Sequence, residues 1–292
     1  MAPDRPTGTL FVVATPLGNL EDLSPRALRV LREVACIACE DTRRTAKLLA
    51  RYGVDTATVA CHRFNERERI EPILERLRSG EDVALVSDGG TPCLSDPGSL
   101  LVAAVVAAGL GTVPVPGPFA AAALLSVVGF PVDRFVFEGF LPHRAGERRR
   151  RIRDLREETR PIVLYEAPHR LRATLDDLAA ILGGRALVLG REMTKIHESI
   201  LRGSAAEIGQ ALGDAEVRGE CTLVVAGRGA AEEDAAPTGD DDRNDRVRGA
   251  WDEALRECRG DRREGLRLAA RRLGMRRPEL FRLLQEIGAL EG

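Results

Sequence analysis

Residues 83–125 read VALVSDGGTPCLSDPGSLLVAAVVAAGLGTVPVPGPFAAAALL, and this stretch most narrows the folds open to the chain. Val83 to Val86 is an apolar, β-branched run of the length expected for a strand buried on both faces. It stops in Ser87-Asp88-Gly89-Gly90-Thr91-Pro92, where glycine admits backbone angles closed to other residues. Ser95-Asp96-Pro97-Gly98 then opens an Ala- and Val-rich helix, Leu100 to Ala108, stopped by Gly109. A second strand, Thr112 to Val115, runs into Pro116-Gly117-Pro118 and another small-residue helix. In a parallel sheet such loops lie together at the carboxyl ends of the strands, where ligands bind. Each loop alone also fits an ordinary βα connection. Two in succession, flanked by small residues, point to a ligand site built from backbone. No G-x-G-x-x-G or P-loop pattern is present, which argues against a ligand gripped by its phosphates.

The same unit occurs earlier. Thr9 to Ala14 is an apolar strand ending in Thr15-Pro16-Leu17-Gly18-Asn19-Leu20, and Ser24-Pro25 supplies an N-cap and first helical position. Val34 to Cys39 reads as a strand meeting Glu40-Asp41-Thr42 and a further helix. Cys61 to Glu66 reads as a polar loop before a charged helix. Four strand–helix units in succession predict an open, mostly parallel α/β sheet over residues 1–128. From 129 the pattern changes. Phe135 to Phe140 alternates, His143 to Arg153 is a basic helix, Ile162 to Tyr165 and Ala186 to Leu189 are strands, and Cys221 to Ala226 is another. Residues 129–227 are expected to form a second α/β domain, more antiparallel in character.

Residues 228–245 hold seven acidic and two basic residues without apolar period, the composition of a linker. Residues 246–292 read as helical, with twelve Arg against eight Asp plus Glu. Ala269 to Leu280 carries a helix, a turn at Gly274 and a helix started by Pro278, a helix-turn-helix pattern that equally fits a small three-helix bundle.

At 292 residues the chain is long enough for two or three domains, and 43 Lys plus Arg against 45 Asp plus Glu do not by themselves announce a nucleic-acid binder. No secretion signal or membrane-length apolar run is visible, so the expected location is cytoplasmic, with no membrane partner. Cys36 and Cys39 form a C-x-x-C without a second pair or a His at zinc spacing. Three positions apart on a strand they face opposite ways, so they read as core residues, and no metal is expected.

Seven segments occur in order: Ala14 to Leu20, Cys39 to Arg43, Ser87 to Gly98, Pro114 to Pro118, Phe137 to Pro142, Tyr165 to Arg170 and Arg191 to Glu198. Together they resemble the tetrapyrrole-methylase superfamily, and within it the branch that acts on ribosomal RNA, over about residues 9–227. The resemblance implies two α/β domains with the cofactor cleft between them and a small helical C-terminal domain. It further implies an S-adenosylmethionine-dependent enzyme that methylates a cytidine ribose 2′-hydroxyl in the decoding region of 16S rRNA, on the 30S subunit, as a homodimer. Carried over by motif, the cofactor contacts are Pro16, Asp88, Gly89, Gly90, Thr91, Leu94, Asp96, Phe119, Ala120, Tyr165 and Met193. Gly89 and Phe119 depart from the family's usual Ala and Ser, and Phe119 removes a side-chain hydroxyl.

Methyl transfer to a hydroxyl is an in-line displacement, to which a base adds about 10²–10⁴-fold. The candidates are Glu166, His169, Glu192, Lys195 and Glu198, any of which could instead belong to a salt-bridge network. Arg148, Arg149, Arg150 and Arg151 form a run suited to phosphate, and His62 and Asn65 lie in a polar loop expected at the rim of the RNA path. Two other readings stay open: a methyltransferase of a corrinoid precursor, and an S-adenosylmethionine-sensing DNA-binding regulator that uses the helical tail.

Overall fold

The computed structural model describes residues 7–213, 217–229, 240–258, 261–273 and 275–290. The chain divides into two compact units, residues 1–230 and 231–292.

The first unit contains two five-stranded sheets. In the first sheet, β1 (Thr9–Val13), β2 (Cys36–Cys39), β3 (Thr58–Ala60), β4 (Val83–Val86) and β5 (Gly111–Val115) are all parallel, in the order β3-β2-β4-β1-β5. The sequence places four strands here. The fifth, β3, is three residues long within the stretch before the polar loop.

Helices cover both faces of this sheet. α1 (Pro25–Glu33) and α2 (Thr42–Arg51) bury Ala27, Leu31 and Leu49 against Ile37, Cys39, Ala84 and Val86. α3 (Glu66–Arg78) and α4 (Ser99–Ala107) bury Ile73, Leu77, Leu101 and Val105 against Leu10, Ala38, Val83 and Leu85. The four residues of β4 thus alternate between two cores, which is why the strand is apolar throughout. Cys39 and Ala38 likewise face opposite cores, and all six cysteines are free. Ser24 caps α1 by accepting the Ala27 amide at 3.0 Å, with Pro25 in the first turn.

α5 (Ala120–Leu125) joins the halves. Ala121, Leu124 and Leu125, with Val128, pack on Val163, Val188 and Val224 of the second sheet. A fully buried leucine such as Leu124 contributes roughly 1.5–3 kcal/mol, so the end of the first half is held by the second.

The second sheet has the order β6-β7-β10-β8-β9, with β6 (Val136–Phe140), β7 (Ile162–Glu166), β8 (Ala186–Arg191), β9 (Ser199–Ser204) and β10 (Cys221–Val225). Only β6 and β7 pair in parallel. α6 (Ala145–Asp154), α7 (Leu171–Leu182) and α8 (Ala205–Ala211) cover the face away from α5. β9 has no counterpart in the sequence reading: it is a half-buried edge strand with Arg and Ser among its six residues.

A bulge between Phe137 and Gly139 shifts the register of β6 against β7. Three positions apart on a regular strand, Phe137 and Phe140 would face opposite ways. The extra residue turns both rings onto Tyr165, at centroid distances of 5.3 and 5.6 Å.

In the second unit, α9 (Asp240–Glu257), α10 (Arg262–Arg272) and α11 (Arg277–Glu286) close a core of Val247, Trp251, Ala254, Ala269, Ala270, Leu280 and Leu284. α9 starts at Asp240 and takes in the last six residues expected as linker; residues 230–239, like Gly274, lie outside the described residues. Pro278 sits in the first turn of α11. No helix among the described residues is long and apolar enough to cross a membrane.

Candidate active site

Three loops at the carboxyl edge of the first sheet are stitched together by their own backbone. The Thr15 and Gly90 amides each donate to the other's carbonyl at 2.9 Å, a two-residue antiparallel bridge between the loops after β1 and β4. The Thr91 hydroxyl donates to Pro118 O at 3.0 Å and ties in the loop after β5. At Gly90, φ is +86°, which L side chains rarely adopt, and a Cβ would press within 3.2 Å of Leu17 Cδ2.

These loops and the second sheet enclose a cavity of about 290 Å³. Gly89, Gly90, Thr91, Leu94, Asp96, Phe119 and Ala120, all named above as cofactor contacts, are brought together on one wall. Tyr165 and Glu166, with Phe140 and residues 220–222, form the other. The rings of Phe119, Phe137, Tyr165 and Phe140 make an edge-to-face chain along the aromatic side. Among the described residues, the non-glycine positions at positive φ are Cys93, Ser95, Glu192 and Thr194. The first pair flanks Leu94 on the cavity wall; the second lies in the turn after β8. Such strain concentrates where a loop must hold a fixed shape.

Other expected cofactor contacts lie off the wall. Pro16 is buried behind Gly89, its carbonyl 3.2 Å from where a Gly89 Cβ would stand. The Asp88 carboxylate accepts the Asp41 amide at 3.0 Å and pairs with Arg44 at 3.4 Å, which directs it to the β2 loop. Met193 packs with the α5 cluster, its sulfur beside Gly190.

The base candidates are mostly committed elsewhere. The Glu166 side chain is fully buried: Oε2 accepts the Thr174 hydroxyl at 2.6 Å, Oε1 accepts the Ala167 amide at 2.9 Å, and Arg170 Nε stands 3.3 Å away. Arg170 then donates to the Leu141 and Pro142 carbonyls, both at 2.9 Å, and contacts His143 Nδ1. This is a brace beneath the cavity wall, since both oxygens of the carboxylate are engaged by protein donors. His169 is exposed and off the wall.

Lys195 Nζ pairs with Glu192 at 2.9 Å and Glu220 at 3.3 Å, and its stem lies across Gly18 of the first loop. Burial opposes its charge, but the bond to Glu192 and the Glu220 charge outweigh it and hold the ammonium above its ordinary value. The Lys195 bond in turn holds Glu192 low. Glu198 accepts the Thr194 amide at 2.5 Å and fixes the turn. Asn19 N donates to Thr194 Oγ1 at 3.1 Å, docking this turn on the first loop.

Asp96 differs from all of these. It lies on the cavity wall, and burial, reinforced by the Glu40 charge, pushes its carboxyl up to about 7. Cys221, on the opposite wall, is pushed up to about 11 by burial and stays a thiol near neutrality. Glu40, Phe140, Glu220, Cys221 and Thr222 were not singled out from the sequence as site residues. The motif segment Phe137 to Pro142 held the signal for Phe140.

The arginine run is not one basic face. Arg148 is buried and bonds Asp177 at 2.7 Å, with Arg149 3.7 Å from the same carboxylate. Arg151 grips Glu138, the bulged residue of β6, through two bonds of 2.6 Å. Arg150 alone of the four is exposed without such a pairing. Helical periodicity separates neighbours by about 100°, so four consecutive arginines cannot all share one face. Asn65 accepts the His62 amide at 2.8 Å and donates to Ala60 O at 3.1 Å, so its side chain holds the loop together.

Three stitched parallel-sheet loops facing a mixed second sheet across a small cavity define an α/β protein of two sheets with a ligand-sized cavity between them. Residues 9–209 match the family described as Tetrapyrrole (Corrin/Porphyrin) Methylases. Among curated proteins, the chain is 52% identical over 228 residues to Ribosomal RNA small subunit methyltransferase I of Pseudomonas aeruginosa, covering 77% of this chain and 81% of that one. It is 41% identical to the protein of the same name from Synechocystis, over 97% of this chain and 99% of that one. The chain belongs to the ribosomal RNA small subunit methyltransferase I family, within the tetrapyrrole methylases. Solved structures share the fold at lower identity. Diphthine synthase aligns with a TM-score of 0.59 at 18% identity, over 75% of this chain and 89% of that one. Uroporphyrin-III C-methyltransferase from Thermus thermophilus, complexed with S-adenyl homocysteine, aligns at 0.53 and 19%, over 75% and 97%.

Proposed function

We propose that this chain binds S-adenosylmethionine in the cavity and methylates the 2′-hydroxyl of a cytidine ribose in the decoding region of 16S rRNA, in the 30S subunit. One observation carries the reading: the cavity sets side-chain-free backbone at Gly89 and Gly90 opposite an aromatic wall, with the Asp96 carboxyl, raised to about 7, on the glycine side. A Cβ at Gly90 would fill that cradle. The relatives' name supports ribosomal RNA as substrate. The solved tetrapyrrole enzymes share fold but only 15–21% identity, and fold alone does not carry a substrate across.

When bound, the cofactor supplies an electrophilic methyl group. Gly89, Gly90, Thr91 and Ala120 cradle it, and Phe119, Phe140 and Tyr165 exclude water from it. The proton of the acceptor hydroxyl goes to Asp96, whose carboxyl near 7 suits a base working near neutral pH. Lys195, kept charged by Glu192 and Glu220, steadies negative charge on the acceptor or an adjacent phosphate. The arginine-rich helical unit serves RNA or ribosome binding. A homodimer would cover the outer face of α4, where Leu100 and Val106 stand exposed. The test is transfer of labelled methyl from S-adenosylmethionine to 30S particles that lack the modification. Incorporation into RNA is expected; transfer to a tetrapyrrole alone contradicts the reading.

A further inference from the structure

The loop between β3 and α3 presents a large aromatic side chain to solvent with nothing of its own packed over most of it. Phe64 is 87% exposed, which leaves its ring free to meet another planar group. The loop beneath it is rigid. The Asn65 and Glu66 amides both donate to His62 O at 2.9 Å, Asn65 bridges His62 N and Ala60 O, and Arg69 Nε donates to Ala60 O at 3.1 Å. The Arg63 guanidinium lies over the Phe64 ring, 5.8 Å from its centroid, and His62 meets the same ring edge-on at 6.2 Å. His62 Nδ1 is buried and has no hydrogen-bond partner among the described residues.

The position of this loop ties it to the cavity. It leaves the carboxyl end of β3, on the same edge of the first sheet as the three stitched loops. Burial raises the Glu40 carboxyl while Arg44 and Arg63 pull it back down, and Glu40 in turn raises Asp96 at the cavity wall. Arg44, after β2, and Arg63, after β3, thus stand on the sheet edge along which a strand reacting at the cavity would run.

We propose that Phe64, backed by Arg63, is a stacking platform for an unpaired base of the RNA strand beside the methylated nucleotide, with Arg63 and Arg44 meeting its phosphates. The inference rests on the reading of RNA as substrate. Single-stranded bases are held this way because every base has a π-face and the guanidinium adds charge to the stack. Phe64 acts by positioning the substrate and takes no part in the chemistry.

The test compares the full-length native protein with Phe64→Ala, Phe64→Trp and Arg63→Ala on 30S particles lacking the modification. Phe64→Ala should raise KM for particles by about tenfold or more, with kcat, the S-adenosylmethionine Kd and the melting temperature within twofold or a degree or so of native. Phe64→Trp should restore KM, and its new indole fluorescence should be quenched by protein-free 16S rRNA. Arg63→Ala should raise KM and flatten its salt dependence. An unchanged KM in Phe64→Ala overturns the platform and leaves RNA methylation standing. A raised KM without quenching by protein-free RNA assigns Phe64 to a protein contact and also overturns it. Failure of the native protein to methylate RNA at all removes the reading beneath the proposal, and the proposal with it.

Discussion

The Glu66 carboxylate accepts a hydrogen bond from the Gly98 amide at 3.0 Å, and the same oxygen accepts the Leu100 and Leu101 amides at 2.9 and 3.0 Å. α4 begins with no side-chain cap of its own, because Gly98 occupies its N-cap at φ +117°. A buried acid from the neighbouring helix supplies what is missing, satisfying three orphan amides and meeting the positive end of the helix dipole. The polar loop around His62 thus ends in a structural anchor that also holds the end of the loop carrying Leu94 and Asp96. Glu66→Ala should cost roughly 2–3 kcal/mol in urea unfolding, and Glu66→Gln less, since an amide oxygen still accepts. Native-like stability in Glu66→Ala contradicts the cap.

The Glu166–Thr174–Arg170 brace leads to a split between two residues that sequence alone ranks together. Glu166→Ala leaves Arg170 buried beside an empty site and should destabilise by about 3 kcal/mol. Its main effect should fall on melting temperature. Lys195→Ala, at a half-exposed position, should leave stability nearly unchanged and lower kcat at least tenfold, with the S-adenosylmethionine Kd within a few fold. A stable, correctly folded Glu166→Ala protein without turnover would return Glu166 to the chemistry.

Asp96 sets the pH dependence. Its carboxyl rises from 3.8 to about 7 on folding, so kcat/KM should climb with pH through about 7 and level off above it. In Asp96→Asn that limb should vanish and kcat fall by about 10²-fold or more. Stability runs the other way. The folded chain holds this proton more tightly than the unfolded one, so stability is full below about pH 4 and declines as pH rises through 7. Asp96→Asn should therefore match the native protein at low pH and exceed it at pH 8. The open side of the cavity screens the charge, leaving a gain of roughly 1–2 kcal/mol. A pH–rate profile with the same acid limb in Asp96→Asn would assign the proton elsewhere.

Gly90→Val tests the cradle. A side chain there meets both positive φ and the Leu17 side chain, and should abolish calorimetric binding of S-adenosylmethionine. Unchanged affinity would place the cofactor outside this cavity.

The parts legible in sequence are those governed by neighbours along the chain. β1, β4 and β5 with their Gly- and Pro-rich loops, the Ser24 cap and the proline-started α11 all announce themselves locally. What escaped is set by distant contacts. β3 spans three residues and β9 is a half-polar edge, so neither shows a period of its own. Arg148 reads as a surface cation until Asp177, twenty-nine positions on, is seen beside it. Glu166 reads as a free carboxylate until Thr174 and Arg170 close over it. Asp96 draws its altered ionisation from burial and from Glu40, both products of the fold.

The central claim is tested most directly by mass spectrometry of nuclease-digested 16S rRNA after incubation of unmodified 30S particles with this protein and S-adenosylmethionine. The account predicts one added methyl, carried on the ribose of a cytidine in the decoding region. A methyl on a base, or none on RNA while a tetrapyrrole in the same mixture is methylated, would contradict it.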